Sequence, residues 1–445
     1  MPRSRWRSMT CLALLVFLTT ACAGAAAEPD ADAAARRKLQ QLLSSRKAAE
    51  RVEAIEGLRK FPDAETAKLL ATRGLKDREP EVRQAAETAL GNMRSVPAVC
   101  DALAELLIKD ARRKGREGFD PAFWILLGSN GPAADEAVKK YLEINSDTSP
   151  ETLEALEGRC DEIGKQTPLI GLAQLERLAK SPAYAKSFGM QRAVIRAARN
   201  YKTKEAVALL IRLLADQNGE LRGDIVEFLE PATGERLGVN AQAWQLWWQE
   251  HEKTYEYPQK PFNLAQGEKQ GGASYYGIPL YAKRIVFIID ASNSMRGEKI
   301  AAAKQQLRNA VLGLDSDVRF GLIAFNASVN VWRSELVPAS DEYKRTAEYW
   351  IENLELAGQT RSYDALEAGM AFDAEAIFFL TDGAPAGGKI TEPTEIVTAI
   401  SKMNKLRRES IYSIGIGLKK KKSGHEAFLD SLSGGNYGKL RRVSE

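Results

Sequence analysis

The sequence predicts a multidomain chain in which an all-α helical repeat region precedes an α/β domain with a doubly wound sheet. Three observations carry that expectation. Apolar residues recur with the helical period from about residue 36 to 256. Residues 257–279 then break the pattern with Pro258, Pro261, Gly267, Gly271, Gly272, Gly277 and Pro279. From residue 285 onward, short apolar runs alternate with amphipathic stretches, the signature of a largely parallel sheet covered on both faces.

Residues 1–27 read as a secretory signal rather than as part of the fold. Arg3, Arg5 and Arg7 form a positive start, residues 9–18 an apolar core, and Ala21-Cys-Ala-Gly-Ala-Ala-Ala27 a tail of small residues. The stretch is too short for a membrane span, and no later segment is long and apolar enough for one. Cleavage is expected after Ala23 or Ala27, which places the chain in a bacterial periplasm or cell envelope, or makes it secreted. The alternative is a lipoprotein anchored through Cys22, although Thr19 stands where a bacterial lipobox normally carries leucine. The three arginines account for most of the formal charge of +4, leaving the mature chain at about +1. A near-neutral surface removes the electrostatic case for nucleic acid or an anionic membrane as the main partner. Cys100 and Cys160, the remaining cysteines outside the signal, read as buried thiols, with a disulfide permitted by export. Two histidines, His251 and His425, leave little room for histidine-based metal sites or His-dependent nucleophiles.

The helical region is expected over residues 36–256. Val82, Ala85, Ala86, Ala89, Leu90 and Met93 make one apolar face, and Leu221, Ile225, Phe228 and Leu229 repeat it. Asp77 and Asp216 each stand five residues before such a face, with Arg83 and Arg222 just after its first member. An Asp at that offset would cap a helix or fix the loop between helices. On these segments the region resembles HEAT-type helical repeats, less regularly through residues 110–185, and the resemblance implies a scaffold or protein-binding stack. Trp244, Trp247 and Trp248 share a helical face, best suited to closing a core or docking a neighbouring domain. Thr233-Gly234 followed by these tryptophans resembles the terminal element of several envelope proteins with helical repeats. Residues 257–281 are expected as a linker, tacked down by Tyr275 and Tyr276.

The α/β domain is expected over residues 282–439. Strands are predicted at 285–290, 318–325, 329–332, 376–380 and 411–416, and helices at 298–312, 342–354, 364–372, 394–407 and 425–432. Ligands of such sheets sit beyond the carboxyl ends of the strands. Asp290 ends the first strand and Asp382 follows the fourth, with Gly383 permitting a sharp turn. Ser292 and Ser294 follow Asp290 at alternate positions, and the loop Gly358-Gln-Thr360-Arg-Ser362 can bring a further hydroxyl to the same edge. Asp290, Ser292, Ser294, Thr360 and Asp382 would together surround one hard, six-coordinate cation, Mg²⁺ first and Mn²⁺ or Ca²⁺ as alternatives. Ser362 reads as a helix cap, Asp364 as a helix-start acid placed for capping or charge, Arg361 as a rim residue facing a partner's acid, and Lys419–Lys422 as a solvated loop.

This combination, Asp290-x-Ser292-x-Ser294 with Thr360 and Thr381-Asp382-Gly383 in order, resembles the metal-ion-dependent adhesion site (MIDAS) of von Willebrand factor A (VWA) domains, which have a Rossmann-like fold. The resemblance implies that Ser292, Ser294 and Thr360 coordinate the metal, with Asp290 and Asp382 as direct or water-mediated ligands. It also implies adhesion rather than turnover, through an Asp or Glu carboxylate of a protein partner. Two other classes stand beside it: a hydrolase using cation-bound water with Asp382 or Asp364 as base, and a purely structural envelope protein. Against the hydrolase, no histidine neighbours these acids in sequence and no second metal cluster is visible. The chain also has no GxxxxGK[ST] loop for nucleotide phosphates.

Overall fold

The computed structural model describes residues 29–111, 119–146, 148–264, 272–418 and 424–444. The expected signal segment, with its candidate anchor Cys22, and the basic run Lys419–Lys422 lie outside the described residues. The chain divides into two compact units, Met1–Met93 and Arg94–Glu445.

The first unit is built from helices Pro29–Leu42, Ala48–Leu58, Ala64–Leu69 and Pro80–Asn92. Val82, Ala86, Ala89, Leu90 and Met93 are buried with Ile55, Leu58 and Leu70, as the apolar period requires. Asp77 fixes the loop before the last helix. Its Oδ1 accepts from the Glu79 amide at 2.9 Å, and its two oxygens receive the Arg51 guanidinium at 2.8 Å each. Arg83 closes the same loop by donating to the carbonyls of Asp77 and Arg78.

The second unit begins as a helical array running from Pro97–Ala111 to Ala241–His251. Helices continue through residues 110–185, but their lengths vary from 5 to 14 residues, in keeping with the less regular pattern expected there. Pro121, Pro132, Pro150, Pro168 and Pro182 each open a helix, where the missing N–H has no acceptor to lose. Asp120, Ser149 and Ser181 cap three of them. Asp216 departs from its expected role: it is the last residue of Lys204–Asp216, and Arg222 clamps the following loop through the Gln217 carbonyl at 2.6 Å. Trp244 is fully buried and donates to the Gly238 carbonyl, while Trp247 and Trp248 pack edge-on against Tyr255. Cys100 and Cys160 are buried free thiols.

The rest of this unit is a sheet clad by helices. A short hairpin, β1 (Ser274–Tyr275) and β2 (Ile278–Pro279), precedes the strands β3 (Arg284–Asp290), β4 (Arg319–Phe325), β5 (Val329–Val331), β6 (Val337–Pro338), β7 (Ala376–Thr381), β8 (Ser410–Ile416) and β9 (Leu440–Val443). The sheet order is β5-β4-β3-β7-β8-β9, with β6 also on β4. Strand β3 is parallel to both β4 and β7, so the chain reverses its direction of growth beside β3. Ile285, Phe287 and Ile289 face helices Glu298–Leu312 and Asp341–Glu352, while Val286 and Ile288 face Ser362–Met370, Pro393–Met403 and Gly424–Gly434. Tyr275, in the expected linker, is buried in this core, edge-on to Phe287 at 5.2 Å. The helix expected to reach 407 stops at Met403, because the Asn404 side chain bridges to both the amide and the carbonyl of Glu409 at 2.8 Å. Strands β6 and β9 were not anticipated, being too short or too charged to show an apolar period.

The sheet is seated on the helical array by a buried polar seam along the amino ends of β3, β7 and β8. Glu375 accepts from the amides of Glu220 (3.0 Å) and Lys283 (3.1 Å), and Glu220 accepts from Ser410 (2.8 Å) and Tyr412 (2.5 Å). Arg408 pairs with Glu157 at 2.8 Å and Asp161 at 3.0 Å, and Arg192 pairs with Asp224 at 2.8 Å while donating to the Arg408 carbonyl. Glycine allows the close approach: a β-carbon on Gly189 would lie 1.9 Å from the Leu406 carbonyl oxygen. The carboxyl ends of the strands, about 20 Å away along β3, are left clear of this seam.

Candidate metal-binding edge of the sheet

Strand β3 delivers Asp290 to the carboxyl edge, where it is completely buried. Its Oδ1 accepts from the Ser292 amide at 2.7 Å and its Oδ2 from the Thr381 hydroxyl at 2.5 Å. These bonds set the turn after β3 and lock it to the end of β7. Burial pushes the Asp290 carboxyl above its usual range; the bonds from Ser292 and Thr381 work against that, and the charge of Asp382 adds to it.

The turn carries Ser292 inward and Ser294 to the surface. Their hydroxyls share a hydrogen bond of 2.9 Å, and Ser294 donates to Asp382 Oδ1 at 2.7 Å. Thr360 is buried, and its carbonyl accepts from the Ala386 amide at 3.0 Å, which ties its loop to the segment after β7. The hydroxyls of Thr360 and Ser294 each lie 3.8 Å from the point a β-carbon on Gly383 would occupy. Glycine there keeps a side chain from standing between them. All five residues singled out from the sequence thus meet at one edge. Oxygens of this kind are suited to hard divalent cations.

The neighbouring residues divide differently from the sequence reading. Ser362 is not a cap: the helix begins with it, and its buried hydroxyl has no hydrogen-bond partner among the described residues. Asp364 lies in the first turn of that helix, as expected, and also holds the loop after β7, accepting from the Lys389 amide at 3.2 Å with Arg361 at 3.8 Å. Lys299 was not singled out from the sequence, and Thr381, part of the recognised motif, had no assigned role. Lys299 places its Nζ 2.9 Å from Asp382 Oδ2, and Thr381 anchors Asp290. His425, far from the acids in sequence, comes within electrostatic reach of Asp382; burial lowers its basicity, and its Nε2 has no hydrogen-bond partner among the described residues. Among the described residues no three His, Cys, Asp or Glu side chains gather as a metal-binding group; the donors here are two carboxylates and hydroxyls.

Residues 283–435 match the von Willebrand factor type A domain, and residues 36–119 match HEAT repeats. Inter-alpha-trypsin inhibitor heavy chain H4 from Homo sapiens is 31% identical over 182 residues, covering 38% of this chain and 19% of that protein. Heavy chain H1 from Mesocricetus auratus is 28% identical over 181 residues, covering 37% and 19%. The chain therefore spans about a fifth of the length of these curated relatives. Among solved structures, a von Willebrand factor type A protein from Catenulispora acidiphila is similar at 19% identity and a TM-score of 0.33, over 38% of this chain and 40% of that one. Domains of this type are typically non-catalytic modules for adhesion and protein binding. No helix among the described residues is long and apolar enough to cross a membrane. The chain carries a HEAT-like repeat region over residues 36–119 and a von Willebrand factor type A domain over residues 283–435.

Proposed function

We propose that this chain is a metal-ion-dependent protein-binding module on a helical-repeat scaffold outside the cytoplasm. In this reading a signal spans 1–27, the scaffold 36–256, a linker 257–281 and the binding domain 282–439. The observation that carries it is the convergence of Asp290, Ser292, Ser294, Thr360 and Asp382 on one edge, with hydroxyls and carboxylate close enough to share an ion. An octahedral ion with ligands at about 2.1 Å holds neighbouring oxygens about 3 Å apart. Ser292 and Ser294 stand 2.9 Å apart, and Ser294 and Asp382 2.7 Å apart.

Ser292, Ser294, Thr360, Asp290 and Asp382 would hold Mg²⁺, with Mn²⁺ and Ca²⁺ as competitors. When bound, the ion would supply an electropositive point for a carboxylate of the partner; with the neutral hydroxyls in direct contact and Asp290 and Asp382 holding it through water, its charge would stay largely uncancelled. The chain's own part is orientation. Thr381 and the Ser292 amide hold Asp290, the Thr360 carbonyl anchors the flanking loop, and Gly383 leaves the approach open. The polar seam at the opposite end of the sheet fits a scaffold that presents this edge outward.

Capture of partners from envelope extracts, by cross-linking and pull-down, tests the reading. Capture should require a divalent cation and disappear in Asp290→Ala. Equal capture in EDTA would refute it.

A further inference from the structure

Lys299 lies in the first turn of helix Glu298–Leu312, which starts after Gly297 turns the chain at φ +84°. A cation is disfavoured there, because the helix dipole places its positive end at that turn. Helix stability therefore does not account for a lysine at this position. Its ammonium instead reaches the carboxylate of Asp382, with Nζ 2.9 Å from Oδ2. The Asp382 side chain is 1% exposed and that of Lys299 28%, so the pair is held at the wall of the site rather than free in solvent. Ser294 occupies the other oxygen at 2.7 Å. Both oxygens of Asp382 are thus engaged by the protein itself.

We propose that Lys299 sets the cation affinity of this edge: its ammonium is a tethered positive charge, and a divalent ion binding at Ser292 and Ser294 must do so against it. The inference rests on the reading of the edge as a divalent-cation site. The physical reason is like-charge repulsion across a short, poorly solvated distance, together with competition for Asp382. Lys299 holds Asp382 in place and at the same time keeps the site from closing on an ion too tightly to release it. Lys299→Met removes the charge and keeps the length of the side chain, whereas Lys299→Arg keeps the charge.

The test is calorimetric titration of Mg²⁺ into the full chain at fixed ionic strength. A parallel readout is the rise in Tm that saturating Mg²⁺ produces in each protein. Lys299→Met should bind Mg²⁺ at least tenfold more tightly than the unsubstituted chain, and Lys299→Arg within about threefold of it. Binding by Lys299→Met alone, with none by the unsubstituted chain, would also support the proposal. Equal or weaker binding by Lys299→Met, while the unsubstituted chain binds, would overturn the role of Lys299 and leave the metal site standing. No binding by any of the three would overturn both. Lys299→Gln repeats the comparison should the methionine variant lower the Tm without Mg²⁺.

Discussion

Arg408 is the most demanding single position in the seam that seats the sheet on the helices. Replacing it with alanine leaves Glu157, whose side chain is 2% exposed, without the guanidinium that lies 2.8 Å from its Oε2; its Oε1 already lacks a partner. Stripping one member from such a buried pair costs about 3–5 kcal/mol, through a desolvated charge or the proton Glu157 must take up to avoid one. The second contact adds less than about 1 kcal/mol, since the Asp161 side chain is 57% exposed. The backbone does not add to the loss, because arginine and alanine pay similarly for φ +53° at this position; Arg408→Gly should recover about 1 kcal/mol relative to Arg408→Ala. Every tryptophan among the described residues lies in Arg94–Glu445, so denaturant unfolding followed by tryptophan fluorescence reports on this unit. The expected loss for Arg408→Ala at pH 8 is about 3–5 kcal/mol. It should shrink at pH 5.5, where Glu157, lifted by burial to about 7 even beside Arg408, takes up a proton. Adding Glu157→Gln should restore about 2 kcal/mol at pH 8. A loss below about 1 kcal/mol, or one equal at the two pH values, would refute the buried-charge reasoning.

The unsubstituted chain should show its own pH dependence. Glu157, Glu220 and Glu409 are buried carboxyls lifted by desolvation from 4.5 to about 7. Below pH 4.5 they are neutral in both folded and unfolded chains; between about 4.5 and 7 only the folded chain keeps the protons, so stability falls as pH rises through that window. Unfolding free energies at pH 5.5 and 8 should differ by a few kcal/mol in that direction, and a flat or opposite trend would count against it. Tyr275→Ala should cost about 3–5 kcal/mol by opening a cavity beside Phe287. Tyr275→Phe should be neutral or stabilising, because the Tyr275 hydroxyl is buried without a partner. Thermal unfolding of the pair separates ring packing from the hydroxyl. With the Asp290→Ala capture and the Lys299→Met titration, these measurements address the fold and the site separately.

Much of the α/β region was legible because its signals are local. Ile285, Val286, Phe287, Ile288 and Ile289 form an unbroken apolar run, which only a strand buried on both faces tolerates, and both faces of β3 are covered. Helix boundaries were less legible where a side chain ends the helix, as Asn404 does. Within residues 110–185, dipeptides such as Asp120-Pro121 and Ser149-Pro150 mark helix starts even where the apolar period is weak. At the site, the five oxygen-bearing residues stood out by type and order, whereas Ser362 was misassigned as the cap, because capping depends on one backbone angle. Arg361, rather than Ser362, precedes the helix, at φ −87° and ψ 63°.

The sequence by itself determined most of the elements, their order, and which acids and hydroxyls lie close to the carboxyl ends of the strands. These follow from periods and turns spanning a few residues. Only the tertiary structure decided what those residues meet. Lys299 finds Asp382 across 83 positions, and Arg408 finds Glu157 across 251. Neither pairing names its partner in local pattern, because a lysine in a first turn or an arginine after a helix carries no mark of the acid it will meet. Strand order and the close approach at glycines bring such charges together, and burial then makes each pairing matter.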